Sequence, residues 1–303
     1  MFLNDFLKLE YLDARIGYYD GSKHIKQSVQ FVLSEITIGI KFSISMETLT
    51  ENQLRQFIHE GYVKLDHAFP RDVADECRKI LWKATQCDPD DPETWTQPVI
   101  RIGELGLEPF KQAANTTVLL NAFDQLAGSG NWLPRATLGS FPVRFPSQQA
   151  ATDTGWHVDA SFPGDDLNNY LEWRINIHSK GRALLMLFLF SDVGENDAPT
   201  RLRAGSHFDV AKILQPAGDE GLSFMELAQK LDATNDRKEI LATGKAGTVF
   251  LCHPFIVHAA QDHRGEEPKF MAQPPLLTKK EFNLERSDDN YCPVEEAILR
   301  GLE

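Results

Sequence analysis

The chain has 303 residues, 42% hydrophobic and 25% charged, with no low-complexity tract, which excludes a disordered chain and predicts a globular protein with a sizeable core. A formal net charge of −13 opposes non-specific attraction to nucleic acid and to anionic membranes, so a small-molecule partner is expected and neither a nucleic acid nor a membrane. Four scattered cysteines without C-x-x-C spacing argue against a zinc knuckle or a disulfide framework. The longest apolar run, ALLMLFLF at 183–190, is too short to span a bilayer, and no signal-peptide core follows the N-terminus, so a cytoplasmic protein with reduced thiols is expected.

Residues 1–45 read as an extension of unassigned role, with a turn at YYDGSK and a short alternating strand at EITIGIKFSIS; Met46 looks like a natural start for a single domain over 46–303. The first part of that domain, 46–135, reads as helical. Thr48 is placed to cap a helix whose stripe is Leu54, Phe57 and Ile58 and which Gly61 ends. YVKL reads as a strand, and PRDVADECRKILWKAT as a second helix opened by Pro70, with Val73, Cys77, Ile80 and Leu81 on one side. From about residue 137 the period changes to two, and TLGSFPVRF, WHVDASF, WRINIHS, ALLMLFLFSDV, GTVFLCHPFIVHA and KFMAQPP form short β-rich segments. SKGR at 179–182 reads as a hairpin turn, and 211–243 as a helical insertion with a capping box at Ser223 and Glu226. The fold class that results is mainly β with flanking helices, a sandwich or jelly roll over about 136–276 followed by a tail at 277–303.

Within TGWHVDASFPG, His157 and Asp159 stand two residues apart, so in extended backbone both side chains leave the same face, with Val158 behind them. An imidazole and a carboxylate aimed at one point suit a metal ion or an acid/base pair; alone, H-x-D more often marks a satisfied core histidine beside a surface aspartate. A facial triad of two histidines and one carboxylate needs a further histidine, and GTVFLCHPFIVHAAQDHRGEEPKFMAQ offers His253, His258 and His263. His207, in AGSH, reads as a structural cap. His253 and His258 are an odd number apart with Pro254 between them, so only one is expected to reach a metal. Each has a basic residue eleven positions on, Arg264 or Lys269, and spacing alone does not separate the two registers. Arg264 lies in a polar turn, whereas Lys269 opens a strand-like run placed to return antiparallel beside His258, which favours the second register.

LTENQLRQFIHEGYVKL followed by a second helix, then WHVDASF, AGSH and GTVFLCHPFIVHAAQ, resembles the phytanoyl-CoA dioxygenase family of Fe(II)- and 2-oxoglutarate-dependent oxygenases over roughly residues 47–275. The resemblance implies a double-stranded β-helix, cupin-like jelly-roll core, with His157, Asp159 and His258 as metal ligands. It also implies Lys269 as the residue binding the far carboxylate of 2-oxoglutarate, and Fe(II), 2-oxoglutarate and O2 as cofactor and cosubstrates. Two positions depart from the family pattern. Lys269 stands where arginine is usual, replacing a bidentate fork by a point charge, and Ala260 stands where a hydroxyl residue is common. A carboxylate at 159 favours hydroxylation over halogenation, because related halogenases carry a small residue there.

The expected activity is therefore hydroxylation of a small molecule with release of succinate and CO2, at a pocket lined by Trp156, Arg144 and the FPGDDLNNY loop. Core filler and ion-pair partner are the plainer readings of Trp156 and Arg144. Two alternatives share the site: a cupin-like isomerase or hydrolase using another divalent metal, and a non-catalytic protein that binds 2-oxoglutarate or another metabolite.

Overall fold

The structure, a computed structural model, describes residues 49–303; the readings of residues 1–45, of Met46 and of Thr48 lie outside the described residues. The helices are α1 Glu51–Glu60, α2 Arg71–Thr85, α3 Glu108–Ala114, α4 Thr117–Ala127, α5 Ser206–Leu214, α6 Phe224–Ala228 and α7 Pro293–Leu302. The strands are β1 Tyr62–Leu65, β2 Val99–Ile102, β3 Phe141–Arg144, β4 Arg174–Ile175, β5 Leu184–Leu189, β6 Arg201–Arg203, β7 Leu222–Ser223, β8 Glu239–Leu241, β9 Val249–Cys252, β10 His258–Ala259, β11 Met271–Ala272 and β12 Pro275–Leu276. Among the described residues no helix is long and apolar enough to cross a membrane.

Helix α1 begins at Thr50, whose hydroxyl accepts from the Gln53 amide while the Gln53 side chain accepts from the Thr50 amide. This reciprocal box satisfies two otherwise orphaned donors, and it puts the cap two residues after Thr48. Phe57 and Ile58 are buried, and Gly61 closes the helix at φ 80° with its amide on Phe57 O. A Cβ at Gly61 would meet His207 Nδ1 at 2.5 Å, so glycine is needed there for both reach and conformation. His207 opens α5, and its Nε2 donates to Ile58 O at 2.9 Å, satisfying a carbonyl in the last turn of α1. The structural role expected of His207 holds, with another helix as the thing capped.

His207 is fully buried beside His253, at 4.9 Å between ring centroids, with Arg237, Asp209 and His59 as the other charged or titratable neighbours. Burial pushes it down to about 4, the Ile58 bond opposing and Arg237 reinforcing the shift. A base with a folded value below its unfolded 6.5 binds fewer protons folded than unfolded between the two, so stability falls with pH from about 6.5 to about 4. The expected loss is on the order of 3 kcal/mol. Urea denaturation at pH 7, 5.5 and 4.5 should show it, and His207→Gln should flatten that slope.

The main sheet runs β1-β9-β5-β11, with β12 also on β5; a second sheet runs β10-β6-β8, and β2-β3 and β4-β7 form two-stranded ribbons, every pair antiparallel. The core is mainly sheet with flanking helices, a jelly roll without barrel closure. β5, LLMLFL, is buried along its whole length, as expected of a central strand covered on both faces. Several sequence expectations change: β7 and β8 fall within 211–243 and β2 within 46–135, both read as helical, and two expected strand pairings differ. KFMAQ does not pair with the His258 strand: Met271 and Ala272 pair with Leu189 and Phe188 of β5, because the chain leaves β9 at Pro254 and a turn closed by Ile256 N on His253 O carries it to the second sheet. SKGR is a turn, closed by Arg182 N on Ser179 O, yet its flanking strands do not form a hairpin, since β4 pairs with β7. The capping box of Ser223 and Glu226 is present at the start of α6.

The segment 277–303 ends in α7, which packs on α1, α4 and α5. Its buried Glu295 accepts from the Cys292 and Asn283 amides and from Arg286, so the charge has enough partners to tolerate burial.

Candidate active site

Period-two alternation sorts the side chains around one cavity of about 860 Å³. In β3 and its approach, Ser140, Pro142 and Arg144 face the cavity while Phe141, Val143 and Phe145 enter the core. In the stretch containing β11, Lys269, Met271 and Gln273 face it while Phe270 and Ala272 enter the core. His157 and Asp159 line it with Val158 buried behind them.

His157 and His258 exchange backbone hydrogen bonds at 3.0 and 2.9 Å, forming one antiparallel pair that adds the H-x-D segment to the edge of β10. Directly opposed residues of such a pair present side chains on the same face, and the two imidazole centroids stand 4.3 Å apart. Each ring is turned by its own backbone. His157 Nδ1 donates to Gly155 O at 2.8 Å and His258 Nδ1 donates to Ile256 O at 3.2 Å, which leaves both Nε2 lone pairs for the cavity. Asp159 Oδ1 lies 3.7 Å from each Nε2, and the three ligand atoms all fall within 4.8 Å of one another. Gln273 Nε2 donates to His258 Nε2 at 3.0 Å, and the Gln273 side chain also bonds Asp159, so one amide takes lone pairs that a cation would take.

Burial opposes ionisation of Asp159, but the Arg182 guanidinium, followed by the two imidazoles, outweighs it and holds the carboxyl below its usual range. Arg182, itself buried, donates from Nη1 to Asp159 Oδ2 at 3.2 Å and from Nη2 to Ala160 O at 2.9 Å, which fixes the outer oxygen and turns Oδ1 to the histidines. Burial, with His157 beside it, pushes His258 down to about 4, so at neutral pH it is the uncharged ligand form. Burial likewise pushes the Tyr170 hydroxyl, next to Asp159, above the ordinary tyrosine value. Two imidazoles and one carboxylate, with second nitrogens anchored, are a donor set that fits Fe(II).

The other histidines go elsewhere. His253 is wholly buried against Phe57, Phe255 and His207, with Nε2 donating to Val294 O, and His263 accepts the Gly265 amide on its Nδ1. Arg264 is exposed. Lys269 is fully buried, its ammonium on Ala198 O, and its backbone exchanges hydrogen bonds with Arg144 at 2.8 and 3.0 Å. Burial, then Arg144, pushes Lys269 well below the usual lysine range. Arg144 both lines the cavity and pairs with Asp153 at 2.8 Å, so the ion-pair and pocket readings hold together. Trp156 lines the cavity under the guanidinium groups of Arg201 and Arg203, and the FPGDDLNNY loop contributes Tyr170.

Sequence reasoning missed Arg182, Gln273, Asp153 and Arg101. The same-face parity of Lys269 and Gln273 could have found the glutamine; a buried arginine in a polar turn leaves no such signal.

Among solved structures, the non-heme alpha ketoglutarate dependent carbocyclase SnoK from nogalamycin biosynthesis is similar at 14% identity and TM-score 0.52, over 77% of this chain and 85% of that one. The GlcNAc Inducible Gene 2 protein (GIG2) of Candida albicans is similar at 12% identity and TM-score 0.54, over 76% of this chain and 64% of that one. At these identities the likeness concerns the fold. A search of curated protein sequences gives no match. The phytanoyl-CoA dioxygenase (PhyH) family model matches residues 59–271, a span that runs from the end of α1 through the H-x-D segment, β10 and Lys269 to β11. With that much of the chain matched, the protein belongs to the phytanoyl-CoA dioxygenase family.

Proposed function

We propose that the protein is an Fe(II)- and 2-oxoglutarate-dependent dioxygenase that hydroxylates a small molecule and releases succinate and CO2. The observation that carries this reading is the convergence of His157, Asp159 and His258 within 4.8 Å, in the same cavity as a fully buried lysine. The three side chains would hold the iron. When bound, the iron with its cosubstrate supplies oxygen activation and the oxidation of a C–H bond, chemistry the polypeptide lacks.

The chain's own residues orient and enclose. Gly155 O and Ile256 O fix the imidazole tautomers, and Arg182 keeps Asp159 ionised and prevents its rotation. Arg144 and Lys269, side by side and buried, are suited to the far carboxylate of 2-oxoglutarate, whose arrival favours the ammonium form of Lys269. Arg144 supplies the guanidinium whose absence at position 269 distinguishes the chain from the family pattern. Four free cysteines support a reducing, cytoplasmic setting.

The test is succinate release by iron-reconstituted protein, with 2-oxoglutarate and O2 omitted in turn, first alone and then with a metabolite library. Dependence on both, with one atom of O2 in the product, is expected. Because the carbocyclase SnoK shares the fold, product analysis decides the reaction type. Turnover without oxygen would replace the reading by a non-oxidative metalloenzyme, and tight 2-oxoglutarate binding without turnover by a binding protein.

A further inference from the structure

The cavity has more positive charge than its cosubstrate would neutralise. Arg101 of β2, Arg144 and Lys269 all line it, and both arginines share one oxygen of Asp153, Oδ2; the other, Oδ1, is buried without a hydrogen-bond partner. The Asp159–Arg182 pair is neutral by itself. With the far carboxylate of 2-oxoglutarate bound and Lys269 held beside it as the ammonium, three cations face two carboxylates. One positive charge remains, on a chain whose net charge is −13. Arg101 is where it is reachable: its side chain is 58% exposed, against 3% for Arg144.

A different part of the lining is apolar and open. Tyr170 and Leu171 and, from α6, Phe224 and Met225 line the same cavity. Tyr170 packs on Phe224 at 5.6 Å, and Phe224 packs on the His157 ring at 5.5 Å, so this surface runs up to the candidate metal ligands. Leu171 and Met225 are 51% and 44% exposed. Large apolar groups left in water beside a concave site with convergent polar groups are the usual make-up of a ligand surface.

We infer that the primary substrate is an amphipathic carboxylate, its acid group paired with Arg101 and its hydrocarbon body lying on Leu171, Phe224 and Met225 beside the metal ligands. This rests on the oxygenase reading and adds the substrate class to it. A planar guanidinium with free donors pairs with a carboxylate through two parallel hydrogen bonds, and Asp153 Oδ2 occupies only part of the Arg101 fork.

The probes are octanoate, 1-octanol, octylamine and butyrate, titrated anaerobically by calorimetry into protein loaded with Fe(II) and 2-oxoglutarate. Octanoate should bind about tenfold or more tighter than octanol, octylamine or butyrate, the worth of one charge-assisted pair or of the lost apolar body. Arg101→Gln should remove the preference of octanoate over octanol while 2-oxoglutarate affinity, titrated separately, stays unchanged. Met225→Ser should weaken octanoate and octanol alike. Absence of octanoate binding, equal or tighter binding of octanol or octylamine, or an Arg101→Gln defect confined to 2-oxoglutarate would overturn the inference. Loss of 2-oxoglutarate binding by the unmutated, metal-loaded protein would instead sink the oxygenase reading, so the two failures are distinguishable.

Discussion

Asp159→Ala should abolish Fe(II) binding at micromolar metal and reduce succinate release by about 10³-fold or more, since the lost carboxylate is the only anionic member of the donor set and metal-based stabilisation amounts to several kcal/mol. The geometry also predicts a structural cost. Arg182 is buried and pairs with Asp159 at 3.2 Å, so removing the carboxylate leaves a guanidinium held by Ala160 O alone among the contacts described. Breaking a buried pair from one side costs about 3–5 kcal/mol. Asp159→Asn separates the two effects, because it keeps the shape and a hydrogen-bond acceptor for Arg182 while removing the charge. The asparagine variant should lose less stability than the alanine variant, because a hydrogen-bond acceptor for Arg182 remains, and still fail to bind metal. Arg182→Leu should do the converse in part: the triad atoms remain, but burial then raises the Asp159 carboxyl unopposed by its main counter-charge, and metal binding weakens most at low pH. Metal titration by calorimetry, with thermal melts of each variant, checks all three. Full activity in Asp159→Ala would remove the carboxylate from the site.

How much of this was legible in the sequence follows from how local each cause is. The H-x-D pair was readable because two residues in extended backbone share a face whatever the rest of the fold does. The helices α1 and α2 and the capping box at Ser223 were readable for the same reason, their signals lying within a few residues. Strand partners were not. The sequence places Lys269 beside His258, but whether KFMAQ lies on β10 or on β5 depends on where Pro254 sends the chain, a choice made between two sheets. The odd spacing of His253 and His258 predicted that they part company, and the turn at Pro254 is how they do so. Strand β2 lies in a stretch read as helical, and its partner β3 is some forty residues on, so PVIRI alone gives little sign of it. Arg182 and Asp153 became site residues only through long-range packing that brings polar turns onto the cavity, and polarity in a turn ordinarily means solvent.

Lys269→Ala should raise the 2-oxoglutarate requirement by about 10²-fold, the value of a buried charge-assisted pair of some 2–3 kcal/mol, with much less change in the turnover number at saturation. His253→Ala should instead destabilise the fold, since that imidazole fills a space between α1, α5 and α7 and bonds Val294 O, and Arg264→Ala should do little because the side chain is exposed. The reverse ordering would make His253 and Arg264 the working register. The protonation of Lys269 gives a second readout that a merely structural lysine would not move. Burial and the neighbouring Arg144 push it well below the ordinary lysine value in the free protein. A carboxylate arriving beside it favours the ammonium, so binding raises its value again and draws a proton from solution wherever free Lys269 is partly neutral. Titration of 2-oxoglutarate into the metal-loaded protein, in buffers of different ionisation enthalpy, should therefore show net proton uptake at alkaline pH. In Lys269→Met that uptake should vanish even where enough cosubstrate is added to saturate the site. An unchanged proton count between the two proteins, together with an unchanged affinity, would mean that the cosubstrate's far carboxylate rests on Arg144 without its neighbour.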